Sequence, residues 1–323
     1  TNRLPPGTSV VSDTSSARSL GRLSGREWQT LHKAFKKSGL LSAWIPRVFG
    51  AELLGSNLLR HSLTVEGLRE MQRAVARTNK LARGLFLPDD RELSARSIFQ
   101  LAGRLYPTEA YWTNTRDWRS HARMFCEIRS PDQVTATAAD GVLTVTLTPN
   151  DGSSPVDVRA PRDDKFVEHA TRVTEEMRGR IQDDPGLTVA DMIVQDLPER
   201  IVSDCREFGV SLEVARAAIE SLEPRPGEGR DAYLSRIKAA HEVPLVYRMS
   251  CEYAFYAHRA RVRGQPKAVE RNDYVDLSLT GYLVEATLVI EERKMRRNVL
   301  GRVVRPSAFA TLNEFRRRLG LPI

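Results

Sequence analysis

Residues 272–292 constrain the fold of this chain more than any other stretch. An acid, Asp273, opens an apolar run in which Val275, Leu279, Tyr282 and Leu283 fall at helical spacing. The short apolar, partly β-branched run 286–290 follows and reads as a buried parallel strand. It ends in two further acids, Glu291 and Glu292. In open α/β sheets, sites form where strands end and the next helices begin. Asp273 and the Glu291/Glu292 pair are therefore expected at one end of a sheet. Carboxylates crowded in one place repel each other unless a cation sits among them, and a divalent metal is the usual occupant.

The beginning of the chain repeats this grammar. Val10 and Val11 lead into Asp13 and then Thr14, Ser15 and Ser16, as a strand with an acid at its carboxyl end would. Ser24 and Glu27 have the spacing of a capping box. They open a helix with Trp28, Leu31 and Phe35 on one face, closed by Gly39. A short second strand is expected over 42–46, and a helix start over 47–54 carries Glu52 among apolar neighbours. An amphipathic helix is expected over 64–83 through Leu68, Met71, Val75 and Ala82, a third strand over 85–88 and a further helix over 91–105. The β-α-β-α order argues for a layered α/β sheet.

The pattern then changes. Residues 105–133 are rich in Trp, Tyr and Arg, and 134–148 alternate around Asp140-Gly141, a hairpin signal. Residues 150–161 read as a polar loop. Helices follow, one through Phe166, Ala170, Val173, Met177 and Ile181, another through Leu212, Ala215, Ile219 and Leu222. The Pro-rich stretch 223–227 is a linker. Leu245, Met249, Tyr253 and Tyr256 mark one more helix. The expected organisation is a core split into 1–104 and 245–323. Between the halves, 105–244 forms an insertion of helices plus one hairpin, docked on the core or standing apart.

Charge directs attention to the partner. The chain carries a formal net charge of +8, which favours polyanions, nucleic acid first. No apolar run approaches the roughly 18 residues of a membrane span, and no signal peptide is visible. Three scattered cysteines, Cys126, Cys205 and Cys251, have no metal-ligand or disulfide pattern and read as reduced thiols in a cytoplasmic protein. The six histidines show no ligand spacing, and no Walker loop or Gly-x-Gly-x-x-Gly motif supports nucleotide hydrolysis.

These segments resemble the motifs of the PIN-domain (PIN-like) nucleases. Val10-Val11-Ser12-Asp13-Thr14-Ser15 is similar to that family's strand ending in Asp, then Thr or Ser. Residues 45–53, with Glu52-Leu53, resemble its second motif. Asp273 resembles the third acid, with Asp276 one helical turn on, as in some branches. Residues 289–295 resemble the fourth motif, although Ile290 stands where Thr is usual and Glu where Asp is usual. Residues 303–315 resemble the last strand and helix. The resemblance covers roughly 1–104 and 265–323 and leaves out the insertion.

The resemblance implies an α/β fold: a Rossmann-like PIN core with a parallel sheet, plus the large, mostly helical insertion with its hairpin. It implies metal-dependent phosphodiester hydrolysis, of single-stranded RNA ahead of DNA. Asp13, Glu52, Asp273 and Glu292 would be catalytic. They would hold Mg²⁺ or Mn²⁺ together with Asp276 and Glu291, and Ser15 would hold Asp13 in place. Arg293, Lys294, Arg296 and Arg297 would grip substrate phosphates. Tyr111, Trp112 and Trp118, interleaved with Arg116 and Arg119, are candidates for base stacking, with a core role as the simpler alternative. A toxin or antiphage-defence effector suits a chain of this kind. A second copy or a regulating protein partner is compatible with it. The Glu in the fourth motif also fits a PIN-like subunit that binds nucleic acid or acts as a scaffold without cutting.

Overall fold

The computed structural model describes residues 8–12, 14–43, 63–82, 90–107, 113–139, 142–161, 166–240, 243–261, 277, 279–284, 286–289 and 309–322. Strand β1 (Ser9–Ser12) leads into helix α1 (Thr14–Arg22) and then α2 (Gly25–Ser38). The expected capping box is present. The Ser24 hydroxyl accepts from the Glu27 backbone N–H, and the Glu27 carboxylate accepts from that of Ser24. Trp28, Leu31 and Phe35 are buried, and Gly39 ends the helix at φ 71°, where a side chain would be strained.

Strand β2 (Leu41–Ala43) and helix α3 (Val65–Ala82) follow. Helix α4 (Asp90–Leu101) stops four residues short of its expected end, where Gly103 takes φ 63°. Next come α5 (Thr113–Glu127), β3 (Val134–Ala139), β4 (Val142–Leu147) and β5 (Val156–Pro161). The helical segment is α6 (Phe166–Asp183), α7 (Val189–Phe208), α8 (Leu212–Leu222), α9 (Arg230–Ala239) and α10 (Pro244–Arg261). A 3-10 turn (Thr280–Val284), β6 (Ala286–Val289), β7 (Phe309–Ala310) and α11 (Leu312–Arg318) complete it.

Four short strands pair in the order β2-β1-β6-β7, each neighbour parallel. Val10 and Val11 point to opposite faces of β1, and both faces are covered. Val10 packs with Leu20, Trp28, Leu31, Phe35 and Phe315. Val11 packs with Ala170, Met177, Met192, Phe255 and Leu277. The helices of the expected insertion are thus docked onto the sheet. Strands β3, β4 and β5 form a separate antiparallel sheet whose Val134, Leu143, Val145, Leu147 and Val158 bury against α3 and α5.

Three expectations are corrected. The class is not the expected α/β, Rossmann-like PIN core: the described residues are 69% helical, so helix packing and not a sheet layer carries most of the core. Among the described residues, each parallel strand has two to four residues, and the longest strands belong to the small antiparallel sheet. The physical reason lies in residues 166–261, where apolar side chains recur at helical spacing and bury against one another, as Ile193, Leu197, Ile201, Val214 and Val246 do. The polar loop expected over 150–161 contains β5, so the single hairpin is a three-stranded sheet. The face expected for α8 is rotated. Val214, Ala215, Ala218 and Leu222 are buried, while Leu212, just inside the Ser211 cap, is exposed. Several expected features fall outside the described residues: the strand over 85–88, the helix start over 47–54, the turn Asp140-Gly141 and the last strand near 303.

Helix α1 is fixed tightly. Arg77 of α3 donates to the Leu20 and Leu23 carbonyls at 2.6 and 2.7 Å and lies over the Trp28 ring. A Cβ on Gly21 would stand 2.8 Å from the Glu70 carbonyl oxygen and 3.1 Å from the Ala74 Cβ. Gly21→Ala therefore pushes α1 off α3 and costs about 1–3 kcal/mol. Gly25→Ala, with nothing within 4 Å of the new methyl, is neutral or slightly stabilising. Urea denaturation of the two variants checks the pair. Equal stabilities would show that the α1–α3 contact yields without cost.

Candidate functional site

The geometry that bears on function is the carboxyl edge of the parallel sheet. Ser12, the last residue of β1, is in register with Val289, the last of β6, and Val289 is in register with Ala310, the last of β7. Two helices begin at this edge, α1 at Thr14 and α11 behind its Thr311 cap. Thr311 and Glu314 make another reciprocal capping box. Helix starts present N–H groups and the positive end of the helix dipole, which favours anions. Thr14 and Ser16 are buried at the start of α1. The Thr14 hydroxyl has no hydrogen-bond partner among the described residues.

In sequence, Asp13 directly follows Ser12, and Glu291 and Glu292 come two and three residues after Val289. Asp13, Glu52, Asp273, Asp276, Glu291, Glu292, Arg293, Lys294, Arg296 and Arg297 themselves lie outside the described residues. Ser15 belongs by its backbone to the first turn of α1, and its side chain also lies outside. The same holds for Tyr111 and Trp112, and for the side chains of Arg116, Trp118 and Arg119 on α5. The structure thus brings together the strand ends that adjoin Asp13 and the Glu291/Glu292 pair. Among the described residues, no group of three or more His, Cys, Asp or Glu is placed to hold a metal.

The described residues add a feature that sequence motifs do not mark. Arg18 and Arg22, one and two turns into α1, line a cavity of about 260 Å³ with Leu63, Gly67, Glu70 and Met71. Glu70 takes the Arg22 guanidinium at 2.7 Å. The signal was the i, i+4 spacing of two arginines just after Asp13, easily lost in a chain this rich in arginine.

Two other sets of reactive groups are structural. Burial pushes the Cys126 and Cys205 thiols up to about 11 and that of Cys251 to about 12, so none is a thiolate nucleophile at neutral pH. Where α7 and α10 pack together, Arg200 pairs with Asp204 within α7 at 3.0 Å and Arg248 with Glu252 within α10 at 2.8 Å. Burial raises the Asp204 pKa, with Arg200 and Arg248 opposing. Burial likewise works against ionisation of Glu252, but Arg248 and Arg200 outweigh it and hold this carboxyl low.

No protein-family model matches the chain, and comparison with curated proteins and with solved structures likewise gives no match. No helix among the described residues is long and apolar enough to cross a membrane.

Proposed function

We propose that this chain is a metal-dependent nuclease that hydrolyses phosphodiester bonds, with single-stranded RNA as its substrate. The observation that carries the reading is the register of Ser12 with Val289. It sets side by side the two strand ends that adjoin Asp13 and the Glu291/Glu292 pair in sequence, although about 280 residues separate them along the chain. The net charge of +8 supports a polyanionic substrate.

The donor set consists of carboxylates alone, which fits a hard divalent cation such as Mg²⁺ or Mn²⁺. Asp13, Glu52, Asp273 and Glu292 would hold it, with Asp276 and Glu291 as neighbouring carboxylates. When bound, such an ion supplies Lewis-acid activation of a water and stabilises charge on the phosphate. The chain's own residues orient the carboxylates and bind substrate. Ser15 holds Asp13, and Arg293, Lys294, Arg296 and Arg297 bind phosphates beside the acids. A role as a toxin or antiphage-defence effector belongs to this reading.

The test is incubation of the purified chain with labelled single-stranded RNA and DNA, with Mn²⁺ or with EDTA. Cleavage of RNA with Mn²⁺ and none with EDTA is the expected result. Binding without cleavage under both conditions would favour the second reading, a subunit that binds nucleic acid or acts as a scaffold without cutting. The feature behind that alternative is Glu292 where the resemblance calls for Asp.

A further prediction concerns the cations after β6. Replacing Arg293, Lys294, Arg296 and Arg297 with Gln weakens RNA binding and flattens its salt dependence. The slope of log affinity against log salt becomes shallower by about 3, from roughly 0.7 per phosphate contact. Fluorescence anisotropy over a salt series measures it, and an unchanged slope would leave these four as a solvated face.

A further inference from the structure

We infer that the outer face of α2, continued by α11, is a second binding surface for the backbone of single-stranded RNA. The inference rests on the nuclease reading for its choice of ligand and on a different set of residues for its substance.

The two helices lie over one apolar cluster. Trp28, Leu31 and Phe35 of α2 and Leu312 and Phe315 of α11 are buried in it, and the Phe35 and Phe315 rings stand 6.3 Å apart. Burying those faces turns the remaining ones outward. On α2 the outward residues include Arg26, Lys33, Lys36 and Lys37, all exposed, and on α11 Arg317 is exposed. None of these five cations makes an ion pair with a described residue. The two helices hold seven cations and two acids, and both acids serve as caps. Glu27 is held by Ser24 and lies 3.9 Å from Arg316, while Glu314 is held by Thr311.

Helix stability does not account for this arrangement. Cations in the last turn complement the helix dipole, which covers Lys36, Lys37 and Arg317. Arg26 sits in the first turn of α2, where a cation opposes the dipole, and Lys33 sits between the ends, where the dipole gives nothing. Arg26, Lys33 and Lys37 follow i, i+7, i+11 spacing and form a stripe about 16 Å long. A stripe of cations without acids complements a polyphosphate chain.

The stripe also connects with the proposed site. Helix α11 begins at the carboxyl edge of the sheet, after β7, and its last turn reaches α2 through Arg316 and Glu27. A strand bound along α2 and α11 therefore leads toward that edge. Such a surface holds a long substrate beside the site and favours long RNA over short.

The test measures binding of labelled oligouridylate by anisotropy, in EDTA, over a salt series. EDTA keeps the RNA uncut, so binding is read apart from cleavage: binding here by a chain that does not cut RNA in the Mn²⁺ assay supports this inference while the nuclease reading fails. The variant is Arg26→Gln/Lys33→Gln/Lys36→Gln/Lys37→Gln. The control, Arg129→Gln/Arg206→Gln/Arg216→Gln/Arg225→Gln, removes the same charge from exposed arginines elsewhere.

The expected result is a loss of roughly tenfold or more in affinity for the variant, with a salt slope shallower by about 3, and a much smaller change for the control. The pair Lys33→Gln/Lys37→Gln leaves the cap and first turn untouched, and it gives half the slope change even if the fourfold variant folds poorly. Equal losses in variant and control would overturn the inference, since net charge alone would then explain binding. So would unchanged binding in both variants, or a wild-type preference for polyglutamate or for phosphatidylserine vesicles over the RNA.

Discussion

Asp273→Asn abolishes cleavage and leaves the fold intact. Under the proposed function the substitution removes one negative charge from the metal-holding set and keeps the side chain's shape. A metal ion contributes several kcal/mol to the transition state, so its loss costs roughly a thousandfold in rate or more. The direction of the stability change is the more telling result. Carboxylates held close together without a cation repel one another, so in EDTA the variant melts at or above the wild-type temperature. A helix-capping acid behaves in the opposite way, since replacing a dipole-facing charge lowers stability. Cleavage rates in Mn²⁺ and melting in EDTA decide it. A variant that melts well below wild type would make Asp273 a structural cap.

Arg248→Met destabilises the chain by about 3 kcal/mol or more, because it leaves the buried Glu252 carboxylate without its ion-pair partner and removes a favourable charge from near Asp204. Arg248 and Glu252 have side-chain exposures of 8% and 13%, and Asp204 of 6%, so solvent cannot replace the lost guanidinium. Asp204 also keeps one carboxylate oxygen buried without a hydrogen-bond partner among the described residues. The pH dependence has a definite sign. In the wild type, Glu252 lies below the ordinary glutamate range, so its contribution is present above that range and is lost as pH falls through its depressed value. Asp204 lies above its ordinary range and works the other way, gaining stability on acidification. In the variant both carboxyls are raised, so the folded state binds protons more tightly than the unfolded state. Stability of Arg248→Met then rises as pH falls from about 7 toward about 5, against little change in the wild type. Urea denaturation at the two pH values measures it. A cost below about 1 kcal/mol would mean that the pair is screened like a surface ion pair.

The local signals in the sequence were strong wherever a single element carried its own punctuation. The Ser24 and Glu27 box, the Trp28-Leu31-Phe35 face and Gly39 describe α2 from cap to cap, and α2 forms as they require. The Val10-Val11 pair belongs to a strand covered on both faces. Strands β3 and β4 pair so that Ala139 faces Val142, around Asp140-Gly141 in sequence. Elements whose identity depends on partners were not legible. In β5, Val156 and Val158 alternate with outward Asp157 and Arg159, which made a strand look like a polar loop until β4 paired with it. Helix α7 contains Pro198, which removes a hydrogen-bond donor at its middle, yet burial of Met192, Ile193, Leu197 and Ile201 holds it together over 20 residues. The balance between sheet and helix is a property of the whole core, and no motif in the strands reports it. At the candidate site, the sequence identifies the acids by their position after apolar strands. The register that sets β1 beside β6 is a tertiary fact, and the Arg18 and Arg22 cavity exists only because α1 packs on α3.

Under the proposed function, acids from the two ends of the chain share a metal at the carboxyl edge of β1 and β6. The most direct test of this sharing is Mn²⁺ binding, followed by electron paramagnetic resonance of the free ion, for the wild type, Asp13→Asn and Glu292→Gln. The wild type binds one or two ions saturably and each variant binds with clearly lower affinity, although the two positions lie far apart in sequence. Equal Mn²⁺ binding by all three proteins, or none by the wild type, would contradict it.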